Sequence, residues 1–247
     1  MSTAEILALI GPYIVPPFSA LLLYGSHARQ DDDETSDVDI LQLTPVHAAP
    51  YSNGRLNFTC YTPEQLITLA KKGTLFARHL VLEAVPLLDP SDFLGTLRSA
   101  YVLPTSYHSV YTEAKRAVPL VAIDEEEFQK HKGQFCSTAT YLLRTCVYAK
   151  AFESGAQSFS MQHVAELTGD SRPRQVLSKL RECKSYDAFR SVTDLLFEIT
   201  DTHRFIRGES LEALVLNMFG VCDLAVILGL RILAGGELIT YPVLRPQ

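Results

Sequence analysis

A chain of 247 residues is long enough for one large domain or two small ones, each with a real core. Hydrophobic residues make up 47% and charged residues 20%, which excludes a disordered or fibrous chain. The net charge of −6 excludes a protein that coats itself on nucleic acid, and much of the acidic excess is one run between residues 31 and 39. The five cysteines are odd in number and contain no C-x-x-C. They exclude a disulfide framework and a zinc ribbon, and read as buried free thiols of a reducing compartment. The start of the chain shows no basic region followed by an apolar run, so the expected location is the cytoplasm, with no membrane partner. The most apolar stretch, 211–233, contains Asn217, Asp223 and Arg231 and reads as a buried helix, not a membrane span.

In chain order, 4–10 reads as a helix that stops before Pro16-Pro17. The apolar run 20–24 ends in Gly25 and suits a buried strand entering a turn. Residues 30–36 are polar loop. Residues 38–43 and 55–61 alternate as strands. Thr62-Pro63-Glu64 opens a helix with proline at its first position. Another helix covers 75–84, and 86–88 reads as a short edge strand. From residue 91 onward helices are expected over 91–102, 125–153, 161–167, 173–183, 186–205 and 211–234, with Gly155 and Gly169 as stops. The expected fold class is α+β: a small mixed-sheet domain over 1–95, then an all-helical domain over 96–247, with the boundary near 101–106.

The chemistry concentrates between residues 22 and 40. A strand ends in Gly25-Ser26; Asp37 follows ten residues later, and Asp39 two after that. Positions i and i+2 of a strand share a face, so Asp37 and Asp39 place two carboxylates side by side while Val38 and Ile40 enter the core. Adjacent carboxylates call for a cation, and Mg²⁺ is often held by one or two carboxylates plus substrate phosphates. Gly25 lets the backbone approach a phosphate, and the neighbouring N–H groups and the Ser26 hydroxyl donate to its oxygens.

This stretch, Gly25-Ser26-x10-Asp37-x-Asp39, resembles the signature of the DNA polymerase β-like nucleotidyltransferase superfamily. It is most similar to the minimal nucleotidyltransferases, which often read Gly-Ser-x-Ala-Arg before Ser-Asp-x-Asp; Ala28, Arg29 and Ser36 match those places. The match covers about residues 20–43. The resemblance implies that 1–95 is a nucleotidyltransferase domain in which Gly25, Ser26, Arg29 and Ser36 bind the nucleotide and Asp37 and Asp39 hold Mg²⁺. It implies transfer of a nucleoside monophosphate, AMP in the expected case, from a nucleoside triphosphate to a hydroxyl on a protein, tRNA or other RNA, or a small molecule. It also implies a partner protein, as in a toxin–antitoxin or defence pair. Two positions depart from the family: residue 30 is Gln where Gly is frequent, and the strand 55–61 lacks the third carboxylate that family members carry there.

The base is therefore sought elsewhere. Glu64, Glu83 and Asp89 are the nearest acids after that strand, and Glu83 is favoured because His79 lies one helical turn before it. The plain reading of that pair is a surface or inter-domain contact. The missing carboxylate also admits a second function class, a non-catalytic nucleotide-binding or partner-binding protein on the same fold. Arg172, Arg174, Lys179, Arg181 and Lys184 form the one basic cluster; it reads first as a solvated helix face and second as a hold for triphosphate or RNA.

Overall fold

The computed structural model describes residues 2–34 and 36–235. The chain divides into two compact units, one of Met1–Thr105 with Gln157–Ser160, the other of Ser106–Ala156 and the chain from Met161 on. The fold is α+β, a mixed-sheet unit followed by helices, with the first unit running past residue 95 to take in the helix after the sheet and the connector behind it.

The first unit opens with α1 (Thr3–Ile10), whose cap Ser2 exchanges hydrogen bonds with Glu5. Then come β1 (Ala20–Tyr24), the one-turn helix α2 (Ser26–Arg29), β2 (Val38–Leu43), β3 (Tyr51–Asn53) and β4 (Leu56–Tyr61). Helices α3 (Pro63–Lys71) and α4 (Leu75–Glu83), strand β5 (Val85–Leu88) and helix α5 (Phe93–Ala100) complete it. The sheet order is β3-β4-β2-β1-β5. β2 and β4 run parallel, and the other neighbours are antiparallel. The strand alternation sorts side chains onto two faces. Leu21, Leu23, Val38, Ile40, Leu56 and Phe58 form one face and bury against Ile6 and Ile10 of α1. The other face carries Tyr24 and Tyr61, which meet Phe76 of α4 at ring distances of 5.9 and 5.3 Å.

The second unit contains α6 (His108–Ala117), α7 (Glu125–Lys130), α8 (Lys132–Glu153), α9 (Met161–Thr168), α10 (Arg172–Cys183), α11 (Tyr186–Ile199), α12 (Leu211–Met218) and α13 (Asp223–Leu233). The long apolar helix α8 is packed by α6, α10, α11 and α13. Several sequence expectations are corrected here. The single helix over 125–153 breaks at His131, whose φ of −138° is not helical. The helix over 186–205 ends at Ile199. The stretch 211–234 is two helices, parted where Gly220 takes a φ of +75°. Among the described residues no helix is long and apolar enough to cross a membrane. All five cysteines are free, and only Cys183 is exposed. Burial pushes the Cys136 thiol up to about 11 and the Cys146 thiol to about 12, which leaves both unreactive.

Candidate active site

Strand pairing assembles the candidate site at one end of the central strands of the sheet. Because β1 and β2 are antiparallel, the last residue of β1, Tyr24, faces Asp39 near the start of β2. Because β4 runs parallel to β2, its own start lies at the same end, and Asn57 faces Asp39 from the other side. The turn that follows β1 therefore lands beside Asp39.

That turn is built on Gly25. Its φ of +78° and ψ of −154° lie in a region open essentially to glycine alone. A Cβ at this position would stand 2.7 Å from Asp39 Oδ2. The turn backbone is thus pressed onto the carboxylate, and any other residue would drive the two apart. Ser26 then begins α2, which Gln30 closes at a φ of +62°. The departure from glycine at residue 30 is a glutamine held in the left-handed conformation that glycine favours.

Asp37 is exposed and lies one residue ahead of β2; Asp39 is half-buried within it. Asn57 Nδ2 donates to Asp39 Oδ1 at 3.3 Å, which fixes the carboxylate from the β4 side. Beyond Asn57 on the same face, the Tyr24 hydroxyl and the Thr59 hydroxyl share a buried hydrogen bond of 2.9 Å. Ser36 has its hydroxyl turned into the loop: it accepts from the Asp33 N–H at 2.9 Å and donates to Asp33 Oδ1 at 3.0 Å. It braces the loop just ahead of Asp37.

Arg29 and Glu83 are joined to each other. Arg29 Nη1 donates to Glu83 Oε2 at 2.7 Å, while its Nε and Nη2 each reach Asp31 at 3.1 Å. Glu83 Oε2 also stands 2.9 Å from His79 Nε2. Its second oxygen, Oε1, accepts from the Phe159 N–H at 2.6 Å and the Ser158 hydroxyl at 3.0 Å. Burial alone would raise the Glu83 carboxyl, but the contact and charge of His79, then Arg29 and the Phe159 N–H, outweigh it and hold the group at about 2. A carboxylate held so low is a weak proton acceptor at neutral pH. The His79–Glu83 pair, read from sequence as a surface or inter-domain contact, is buried within the first unit, with the His79 ring stacked on Phe159 at 4.5 Å.

Sequence reasoning did not find Asn57, Tyr24, Thr59 or the 158–159 segment. The parallel register of β2 and β4 is what brings Asn57 to Asp39, and a strand pattern does not state its partner. The basic cluster lies on α10, where Arg172 is engaged with Asp170 and Glu198 at 2.8 Å each. Arg174 and Lys179 are exposed.

Asp37 and Asp39 are the carboxylates that could take part in holding a divalent cation, with other ligands supplied from outside the chain. Among the described residues no group of three or more His, Cys, Asp or Glu converges on a metal position. The pressed contact between Gly25 and Asp39 places the turn backbone and the carboxylate side by side.

No protein-family model matches the chain. No curated protein matches it. Among solved structures it is similar to a nucleotidyltransferase-like protein from Exiguobacterium sibiricum 255-15, at 14% identity and a TM-score of 0.30, over 81% of this chain and 73% of that one. A likeness that distant assigns no chemistry.

Proposed function

We propose that this chain is a metal-dependent nucleotidyltransferase that moves a nucleoside monophosphate, AMP in the first instance, from a triphosphate to an acceptor hydroxyl on a protein, RNA or small molecule. The single observation that carries the reading is the Gly25 turn packed on the Asp39 carboxylate, 2.7 Å from where a Cβ would sit. Gly25 exposes backbone to the β- and γ-phosphates, and the Ser26 hydroxyl donates to them. Asp37 and Asp39 would hold Mg²⁺, with Asn57 keeping Asp39 aimed. When bound, the metal supplies charge stabilisation for the triphosphate and the leaving pyrophosphate. The acceptor oxygen attacks the α-phosphorus, the bond to the β-phosphate bridging oxygen breaks, and the acceptor proton passes to solvent or a partner group.

The test is pyrophosphate release from each nucleoside triphosphate with Mg²⁺, with transfer of α-label into lysate components. Asp37→Ala and Asp39→Ala, each folded, are expected to abolish release, and wild-type rates in either would sink the reading. A second reading is a nucleotide-binding or partner-binding protein without turnover. It is favoured by the neutral Asn57 beside Asp39 and by a Glu83 already fully engaged. Tight triphosphate binding without pyrophosphate release would establish it.

A further inference from the structure

Glu83 ends α4, yet its carboxylate reaches two other pieces of chain besides His79 of its own helix. Through Arg29 it grips the last residue of α2, three positions after Ser26. Arg29 in turn forks onto Asp31, at the start of the loop that leads to Asp37. Its other oxygen takes the Phe159 N–H and the Ser158 hydroxyl, which reach it from 75 residues further along the chain. Side-chain exposure is 5% at Glu83 and 18% at Arg29, so water replaces little of this if it is cut. A buried charge left without its partner forces its neighbours to rearrange. Here the neighbour is a four-residue helix with a left-handed residue at its end, which has little strength of its own to resist. Arg29 uses Nη1 on Glu83 and Nε and Nη2 on Asp31, so each nitrogen of its guanidinium has a partner inside the unit.

We propose that Glu83 is a positioning residue: acting through Arg29, it fixes the turn that carries Gly25 and Ser26 and the loop that delivers Asp37. Its effect on nucleotide rests on the transferase reading above; its effect on the turn does not.

The experiment compares the full chain with Glu83→Gln, Arg29→Met and the double variant, by amide hydrogen exchange and by calorimetric titration with Mg²⁺ and ATP. In Glu83→Gln the amides of residues 25–31 are expected to exchange roughly tenfold faster over and above the loss of protection that lower global stability gives β4. ATP affinity is expected to fall about 10- to 100-fold, the scale of a misplaced binding group. The double variant is expected to be no worse than either single one, because both cut the same link. Arg29→Lys, which keeps the charge on Glu83 and loses the fork on Asp31, is expected to recover part of the affinity. A merely stabilising role predicts faster exchange throughout the unit and unchanged ATP affinity of the folded fraction; that result overturns the proposal. So does unchanged protection of 25–31. If Glu83→Gln fails to fold, Arg29→Lys and Arg29→Met carry the same comparison. Local loss of protection in a chain whose wild type binds no ATP would overturn the transferase reading and keep the link between Glu83 and the turn.

Discussion

Arg29 and Glu83, 54 positions apart in the chain, meet at 2.7 Å as a nearly buried ion pair. Such a pair contributes little net stability when intact, but removing one member strands a charge, typically at several kcal/mol. The contacts of Glu83 with His79, with Arg29 and with the Phe159 N–H also set a pH dependence. The Glu83 carboxyl lies at about 2, below its ordinary value of 4.5. A depressed carboxylate stabilises the native state above its unfolded value, and that contribution drains away as pH falls towards the folded one. The gap corresponds to roughly 3 kcal/mol at neutral pH.

The first prediction follows from that sign. Glu83→Gln is expected to be less stable than wild type at neutral pH by about 2–4 kcal/mol. The difference should shrink as pH drops through the interval from 4.5 to about 2. Urea midpoints of both proteins across that range check it, and a gap that stays constant with pH would show that Glu83 is not held as an anion by its partners.

Gly25 allows a second prediction. Gly25→Ala places a methyl group 2.7 Å from Asp39 Oδ2 on a backbone that non-glycine residues avoid. The expected loss is about 1–3 kcal/mol from the backbone alone. Displacement of Asp39 should come with it, seen as loss of any Mg²⁺-dependent rise in melting temperature. A neutral Gly25→Ala would mean that the turn can relax away from the carboxylate.

Much of the sheet unit was legible because apolar runs and alternation set the strands, and Thr62-Pro63 marked the start of α3. The Gly-Ser turn and the Asp37-x-Asp39 pair marked the place of the candidate site, because the spacing spans one short connection between antiparallel strands. Contacts made at long range were not legible. Glu83 looked like a residue aimed at the chemistry, since the sequence shows His79 four places before it and cannot show Ser158 and Phe159 arriving from the far side. Strand β3 was missed because three residues carry no period, and α6 because it is largely polar, with only Ala114 and Ala117 buried. The break at His131 falls two residues before Gly133, which lies inside α8 and does not itself mark the break.

Gln30 gives the third prediction. It holds a φ of +62° as the cap of α2, with its N–H on the Ser26 carbonyl. Gln30→Gly removes the left-handed penalty and adds unfolded-state entropy, so the net gain is expected to be small, about 0.5 kcal/mol. A chemical-denaturation series resolves it. Destabilisation would show that the Gln30 side chain makes a contribution larger than its backbone penalty.

Asn57 supplies the last. It faces Asp39 across the parallel β2–β4 pairing and donates to Oδ1 at 3.3 Å. Asn57→Asp replaces that donor with a second carboxylate at the same place. Without a cation, two such groups cannot both ionise at little cost, so one of them takes up a proton and the hydrogen bond that held Asp39 is lost. In chelator the variant is expected to be about 1–3 kcal/mol less stable than wild type. With millimolar Mg²⁺ the order should reverse in sensitivity: three carboxylates then stand together at one end of β2 and β4, and the variant's melting temperature should climb with metal concentration more steeply than that of wild type, as linkage requires of a tighter site. If the chain transfers nucleotides, the new carboxylate also stands where it can take a proton from the acceptor, and turnover is expected to rise by about 10²-fold or more. Melting curves in chelator and across a Mg²⁺ series decide the structural half. Identical metal dependence in Asn57→Asp and wild type would show that no cation sits between Asp39 and β4, and the assignment of Asp37 and Asp39 as metal ligands would fall with it.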